Sequence, residues 1–138
     1  MTTTSFPTLS DPTYRIETEL GSGGGGTVYK AWHTRLQKRV VIKELKSGST
    51  HDIETQRNEV VALKNVKSAY LTQVFDFLTE GDRANTVIEF VEGESLDKPL
   101  KRGQKFTQPQ VVKWYGQLVS ALESIHMSAP AFKCAKFK

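Results

Sequence analysis

The amino-acid sequence predicts an α+β fold, a group of five strands with one helix among them and then a mostly helical segment. Three observations carry this. Short alternating or β-branched runs are bounded by glycine and turn residues over residues 14–91. One capping signature interrupts those runs. Beyond residue 92 the strand pattern stops and a wide apolar stripe at helical spacing takes over.

The elements follow in order. Residues 1–13 are rich in Thr, Ser and Pro and are expected to be loose. Tyr14, Ile16, Thr18 and Leu20 lie at every second position and predict a first strand. Gly21-Ser22-Gly23-Gly24-Gly25-Gly26 predicts a loop, and Thr27–Trp32 a second strand. Arg39–Leu45 is a β-branched third strand, broken by Ser47-Gly48-Ser49. Ser49-Thr50-His51-Asp52 has the spacing of a capping box and opens a helix to about Val66, with Glu59, Leu63 and Val66 on one face. Leu71–Thr79 and Asn85–Val91 predict two further strands around a turn at Glu80-Gly81-Asp82. Ser95–Lys101 predicts a short helix. Thr107-Gln108-Pro109-Gln110 is a second capping box. The helix behind it carries Val111, Val112, Trp114, Tyr115, Leu118, Val119, Leu122 and Ile125, a stripe wide enough to require burial on more than one side. Ser128-Ala129-Pro130 ends it, and residues 131–138 form a basic tail without periodicity.

Composition narrows the class. The 138 residues are 38% hydrophobic and 25% charged, which permits a packed core and argues against a disordered or collagen-like chain. The formal net charge is +4, but the last eight residues hold Lys133, Lys136 and Lys138 and no acid. Residues 1–130 are therefore near neutral, and no nucleic-acid partner is expected. No apolar run reaches the ~18 residues of a spanning helix, and Met1–Pro12 has neither the cations nor the apolar centre of a signal peptide. No membrane association is expected. A lone cysteine, Cys134, makes no internal disulfide, so the cytoplasm is the expected compartment. Cys134 and His126 lack metal-ligand spacing, and no metal site is expected. Trp32 and Trp114 are expected to pack.

Gly21-x-Gly23-x-x-Gly26 matches GxGxxG, a weak signal alone. A dinucleotide-binding fold would need a helix straight after Gly26, and a Walker A loop would need Lys followed by Ser or Thr. Thr27-Val28-Tyr29 supplies neither. A glycine hairpin whose amides approach phosphate oxygens remains, with a plain mobile hairpin tip as the alternative. The residues that follow sharpen the choice. Val28 completes GxGxxGxV. Val40-Val41-Ile42-Lys43 lies on the third strand, with residues 41 and 43 on one face, and Glu59 on the next helix is placed to pair with Lys43.

In this order these residues resemble the protein kinase family, most closely bacterial serine/threonine kinases. The resemblance runs from Tyr14 to about His126. It implies a kinase N-lobe over residues 14–91, a five-stranded antiparallel sheet with helix C and the hinge. A truncated, mostly helical start of the C-lobe follows over residues 92–130. It also implies roles. Gly21, Ser22, Gly23, Gly24, Gly25, Gly26 and Val28 would cover the phosphates of ATP. Val28 and Val41 would sandwich adenine. Lys43, held by Glu59, would contact the α- and β-phosphates. Ile88 would be the gatekeeper, and Glu89 and Val91 would offer hinge backbone groups. Two positions depart from the family pattern. Gly25 stands where an aromatic residue is usual, which raises the entropic cost of closing the loop. Val41 stands where Ala is usual and puts two more methyl groups into the adenine slot.

Phosphoryl transfer further requires an Asp to orient the substrate hydroxyl, and an Asn and a second Asp for Mg²⁺. The last Asp in the sequence is Asp97 and the last Asn is Asn85, so neither the HRDxxxxN nor the DFG pattern is present. The expected function is a serine/threonine kinase homologue that binds ATP, with Mg²⁺ held only through the nucleotide, and is inactive as this chain. The alternatives are a non-catalytic ATP-binding or kinase-interacting module, and a truncated or frameshifted product. Leu118, Leu122 and Ile125 would lack their usual cover, which makes a protein partner on that helix face a further expectation.

Overall fold

In a computed structural model of the chain, the structure describes residues 9–23, 26–45 and 50–128. Five strands and three helices occur among them, in the order β1 (Tyr14–Gly23), β2 (Gly26–His33), β3 (Lys38–Leu45), α1 (Thr50–Lys64), β4 (Val74–Glu80), β5 (Arg83–Glu89), α2 (Asp97–Lys101) and α3 (Gln108–Ser128). The expectations for Ser49, Gly24, Gly25, Cys134 and the basic tail lie outside the described residues.

The chain divides into two compact units. The first comprises residues 1–64 and 73–90, the second residues 65–72 and 91–138. The first unit holds one sheet in the order β1-β2-β3-β5-β4, antiparallel throughout. Helix α1 packs against β4 and β5.

Alternation along the strands sorts the sheet into two faces. Tyr14, Tyr29, Ala31, Val40, Ile42 and Val87 share one face with Leu9 and make its buried core, with Ile16, Phe75 and Leu78 packed around it. At ~25 cal/mol per Å² of apolar surface, burial of this cluster stabilises the first unit. Val28, Val41, Lys43 and Ile88 take the other face, where Val28, Val41 and Ile88 are half-buried and Lys43 is exposed.

Five local expectations change. The first strand does not stop at Leu20. Bulges near Glu17 and Leu20 keep it paired, and Gly21, Ser22 and Gly23 face Val28, Thr27 and Gly26 as ladder partners. Leu9–Thr13 is packed rather than loose. Leu9 joins the core, Thr13 N donates to Asp11 Oδ1 at 2.9 Å, and Ser10 N donates to Glu80 Oε1 at 2.8 Å. Helix α1 ends at Lys64, before Asn65, so Val66 is buried beyond the helix rather than on its face. Strand β4 begins at Val74 because β5 leaves the ladder after Glu89, which is tied to Gln73 by a backbone bond of 2.9 Å. For the same reason Val91 lies outside β5.

In the second unit, α3 starts where the sequence places it. Thr107 N donates to Gln110 Oε1 at 3.0 Å, and Gln110 N donates to Thr107 Oγ1 at 3.4 Å, a reciprocal cap. Phe106 meets Trp114 edge to face at 4.9 Å. Helix α2 is bracketed by a bidentate Arg102–Glu94 pair at 2.9 and 2.6 Å, whose hydrogen bonds hold the Glu94 carboxyl below its ordinary range. The chain turns out of α2 at Gly103, φ 80°, a left-handed position that suits glycine.

Candidate nucleotide-binding face

The register of three strands assembles the sequence-predicted residues. Val28 pairs with Lys43 across β2 and β3, and Val41 pairs with Ile88 across β3 and β5. Directly paired residues project to one side of a sheet, with Cβ atoms ~5 Å apart. Three apolar side chains and one ammonium therefore share a patch about two residues deep on three adjacent strands. Val40, Ile42 and Val87 alternate with them and are fully buried on the other face. A one-residue slip would exchange the two sets, so the buried core fixes which residues the open face presents.

The glycines behave differently from one another. Gly21 and Gly23 are exposed, and a Cβ at either would meet no atom within 4 Å. Among the described residues no packing requires glycine there, and Gly21 lies opposite Val28 on the patch side. Gly26 is different: at φ 131° its missing Cβ leaves room for the Glu44 carbonyl. It is a structural glycine at the turn end of the β1–β2 hairpin.

At the other end of the patch, Glu89 is held by Gln73. Its N–H donates to the Gln73 carbonyl at 2.9 Å, and its Oε2 accepts from Gln73 N at 3.1 Å. Its carboxylate is therefore a clamp on Gln73, the residue just before β4, a role the sequence reading missed. No local pattern marks it, because the partner is 16 residues away. Glu59 is half-buried on α1. Val91 is exposed and belongs to the second unit, so the first unit brings together Gly21, Gly23, Val28, Val41, Lys43 and Ile88 on one face, with Glu89 paired to Val40 on the other, but not Val91.

Each face of the sheet holds one buried polar atom without a hydrogen-bond partner among the described residues. Thr86, the register partner of Lys43, is buried with its Oγ1 unpartnered, as is Asn85 Oδ1 on the opposite face. On that opposite face burial pushes the Tyr29 phenol up, with Glu44 adding to the effect. Among the described residues no group of three or more His, Cys, Asp or Glu could hold a metal ion, and no helix is long and apolar enough to cross a membrane. Trp32 is half-buried with Arg39 5.8 Å above its ring, which fits the expected packing role.

Comparison with known proteins identifies the family. The model of the protein kinase domain matches residues 14–132. A probable serine/threonine-protein kinase of Clostridium acetobutylicum is 32% identical over 116 residues, 82% of this chain and 18% of its own length. The serine/threonine-protein kinase pkn2 of Myxococcus xanthus is 34% identical over 123 residues, 84% of this chain and 14% of its own. The probable serine/threonine-protein kinase YbdM of Bacillus subtilis is 30% identical over 118 residues, 82% of this chain and 46% of its own. The chain thus spans less than half the length of each of these relatives. The five-stranded antiparallel sheet with α1, followed by helices, is a kinase N-lobe with the start of a C-lobe, and the chain belongs to the protein kinase family.

Proposed function

We propose that the chain is the ATP-binding part of a serine/threonine protein kinase homologue. One observation carries this: the register that puts Val28, Val41, Lys43 and Ile88 on one open sheet face while the same strands bury Val40, Ile42 and Val87 on the other. Val28 and Val41 would pack on adenine, Ile88 would close the rear of the slot, and the Glu89 backbone would meet the adenine edge. Lys43, oriented by Glu59, would hold the α- and β-phosphates. Among the described residues nothing fills the space beside Gly21 and Gly23, and phosphate would take it. In this reading residues 14–91 are the nucleotide lobe and hinge, and residues 92–130 begin the second lobe.

ATP bound there would offer its γ-phosphoryl group to a protein hydroxyl. The 138 residues supply the binding side of that reaction only. With no Asp after Asp97 and no Asn after Asn85, they hold no group to orient the acceptor hydroxyl or to bind Mg²⁺ behind the phosphates. The expected activity of this chain is nucleotide binding without phosphoryl transfer.

Thermal unfolding with Mg-ATP tests the reading. At ten times Kd, ligand linkage raises stability by ~1.4 kcal/mol, about 3–6 °C for a chain of this size. Lys43 is exposed, so Lys43→Ala leaves the fold intact and should remove most of the shift. A wild-type chain with no shift at millimolar Mg-ATP, or a Lys43→Ala chain that shifts equally, contradicts the reading.

A further inference from the structure

Lys30 belongs to no role described so far. It lies on β2 two residues beyond Val28, half-buried, and its register partners are Thr18 on one side and Val41 on the other. It therefore projects from the same face as Val28, Val41, Lys43 and Ile88, on the side away from the glycine hairpin. Among the described residues no carboxylate pairs with it. Its ammonium instead sits 4.7 Å from the centroid of the Phe90 ring. Phe90 is half-buried and directly follows Glu89, the last residue of β5.

A cation within ~6 Å of an aromatic face is attracted by the ring quadrupole, and more strongly as both are desolvated. The contact matters because of where it falls. Glu89 is already held from the β4 side by its two bonds to Gln73. Phe90 has left the ladder, and Lys30 holds it from the β2 side. The chain is thus gripped from both flanks at the point where it leaves the sheet.

We propose that Lys30 is a positioning residue, which fixes the end of β5 through the Phe90 ring and so sets the backbone that the adenine edge meets. This role rests on the nucleotide reading above. It differs from a phosphate-binding lysine in what it acts on. Lys43 is placed for phosphate; Lys30 acts through a protein ring and affects only ligands that carry a base.

Three variants and two readouts test it. Lys30→Met keeps the apolar stem and removes the charge, Phe90→Leu removes the ring, and Lys30→Arg keeps a cation that stacks on aromatics. The first readout is amide hydrogen exchange of Glu89 and Phe90. The second is the Kd for Mg-ATP beside that for inorganic tripolyphosphate. Lys30→Met and Phe90→Leu should each speed exchange about 2- to 5-fold and weaken Mg-ATP by a similar factor, the scale of one cation–π contact. Tripolyphosphate affinity should not change, Lys30→Arg should restore both readouts, and the double variant should be no worse than either single one.

Unchanged exchange in Lys30→Met overturns the proposal. So does equal weakening of tripolyphosphate, since Lys30 would then touch phosphate itself. ATP binding that ignores both variants overturns the positioning role while leaving the nucleotide reading intact. A wild-type chain with protected Phe90 that binds no ATP removes the nucleotide reading, and the positioning role with it.

Discussion

Gly26 sits at φ 131° with the Glu44 carbonyl occupying the place of a Cβ. Gly26→Ala would force both an unfavourable backbone region and a backbone overlap. A destabilisation of about 2 kcal/mol or more is expected, measurable by denaturant titration. Gly21→Ala and Gly23→Ala should leave stability within ~1 kcal/mol, since their Cβ atoms meet nothing. Six consecutive positions from 21 to 26 read alike as a glycine-rich loop, because spacing alone cannot tell a glycine kept for a neighbouring strand from one kept for a ligand. The distinction needs the β2–β3 register, which pairs Thr27 with Glu44. By contrast, the shared face of Val41 and Lys43 was legible at once, since a period of two along β3 is local and obligatory.

Elements show the same division between local and distant causes. The start of α3 was legible because its cap closes between Thr107 and Gln110, three residues apart. The ordering of Leu9–Thr13 was not, because it depends on β4. Ser10 donates to Glu80, and the Tyr14 hydroxyl donates to Asp76 Oδ2 at 3.3 Å. These contacts span 70 and 62 residues and join the N-terminal segment and edge strand β1 to β4, the opposite edge of the sheet. Composition cannot foresee them.

The Tyr14–Asp76 contact makes a pH prediction. Burial, and then the Asp76 carboxylate, push the Tyr14 phenol from its ordinary value near 10.0 up to about 12. The unfolded chain loses this proton near pH 10 and the folded chain near pH 12. The contribution to stability is therefore complete below pH 10 and is lost as pH rises towards 12. Tyr14→Phe should flatten that part of the stability profile, as followed by denaturation midpoints from pH 8 to pH 12. An unchanged slope would place the alkaline loss elsewhere.

At the scale of the whole molecule, the chain belongs to the protein kinase family and carries its N-lobe with the start of the second lobe. In the second unit, the α3 stripe read from the sequence is largely open among the described residues. Val112, Tyr115 and Leu118 are more than half exposed, at 62%, 68% and 60%. The first unit, in contrast, buries Val40, Ile42 and Val87 fully on one sheet face and leaves Val28, Val41 and Ile88 half-buried on the other. Methyl NMR during titration with Mg-ATP tests the division of the sheet into two faces. The methyl groups of Val28, Val41 and Ile88 should shift together, while those of Val40, Ile42 and Val87, on the same strands and neighbouring residues, stay in place. Shifts confined to Val40, Ile42 and Val87, or none on either face at saturating nucleotide, would contradict the account.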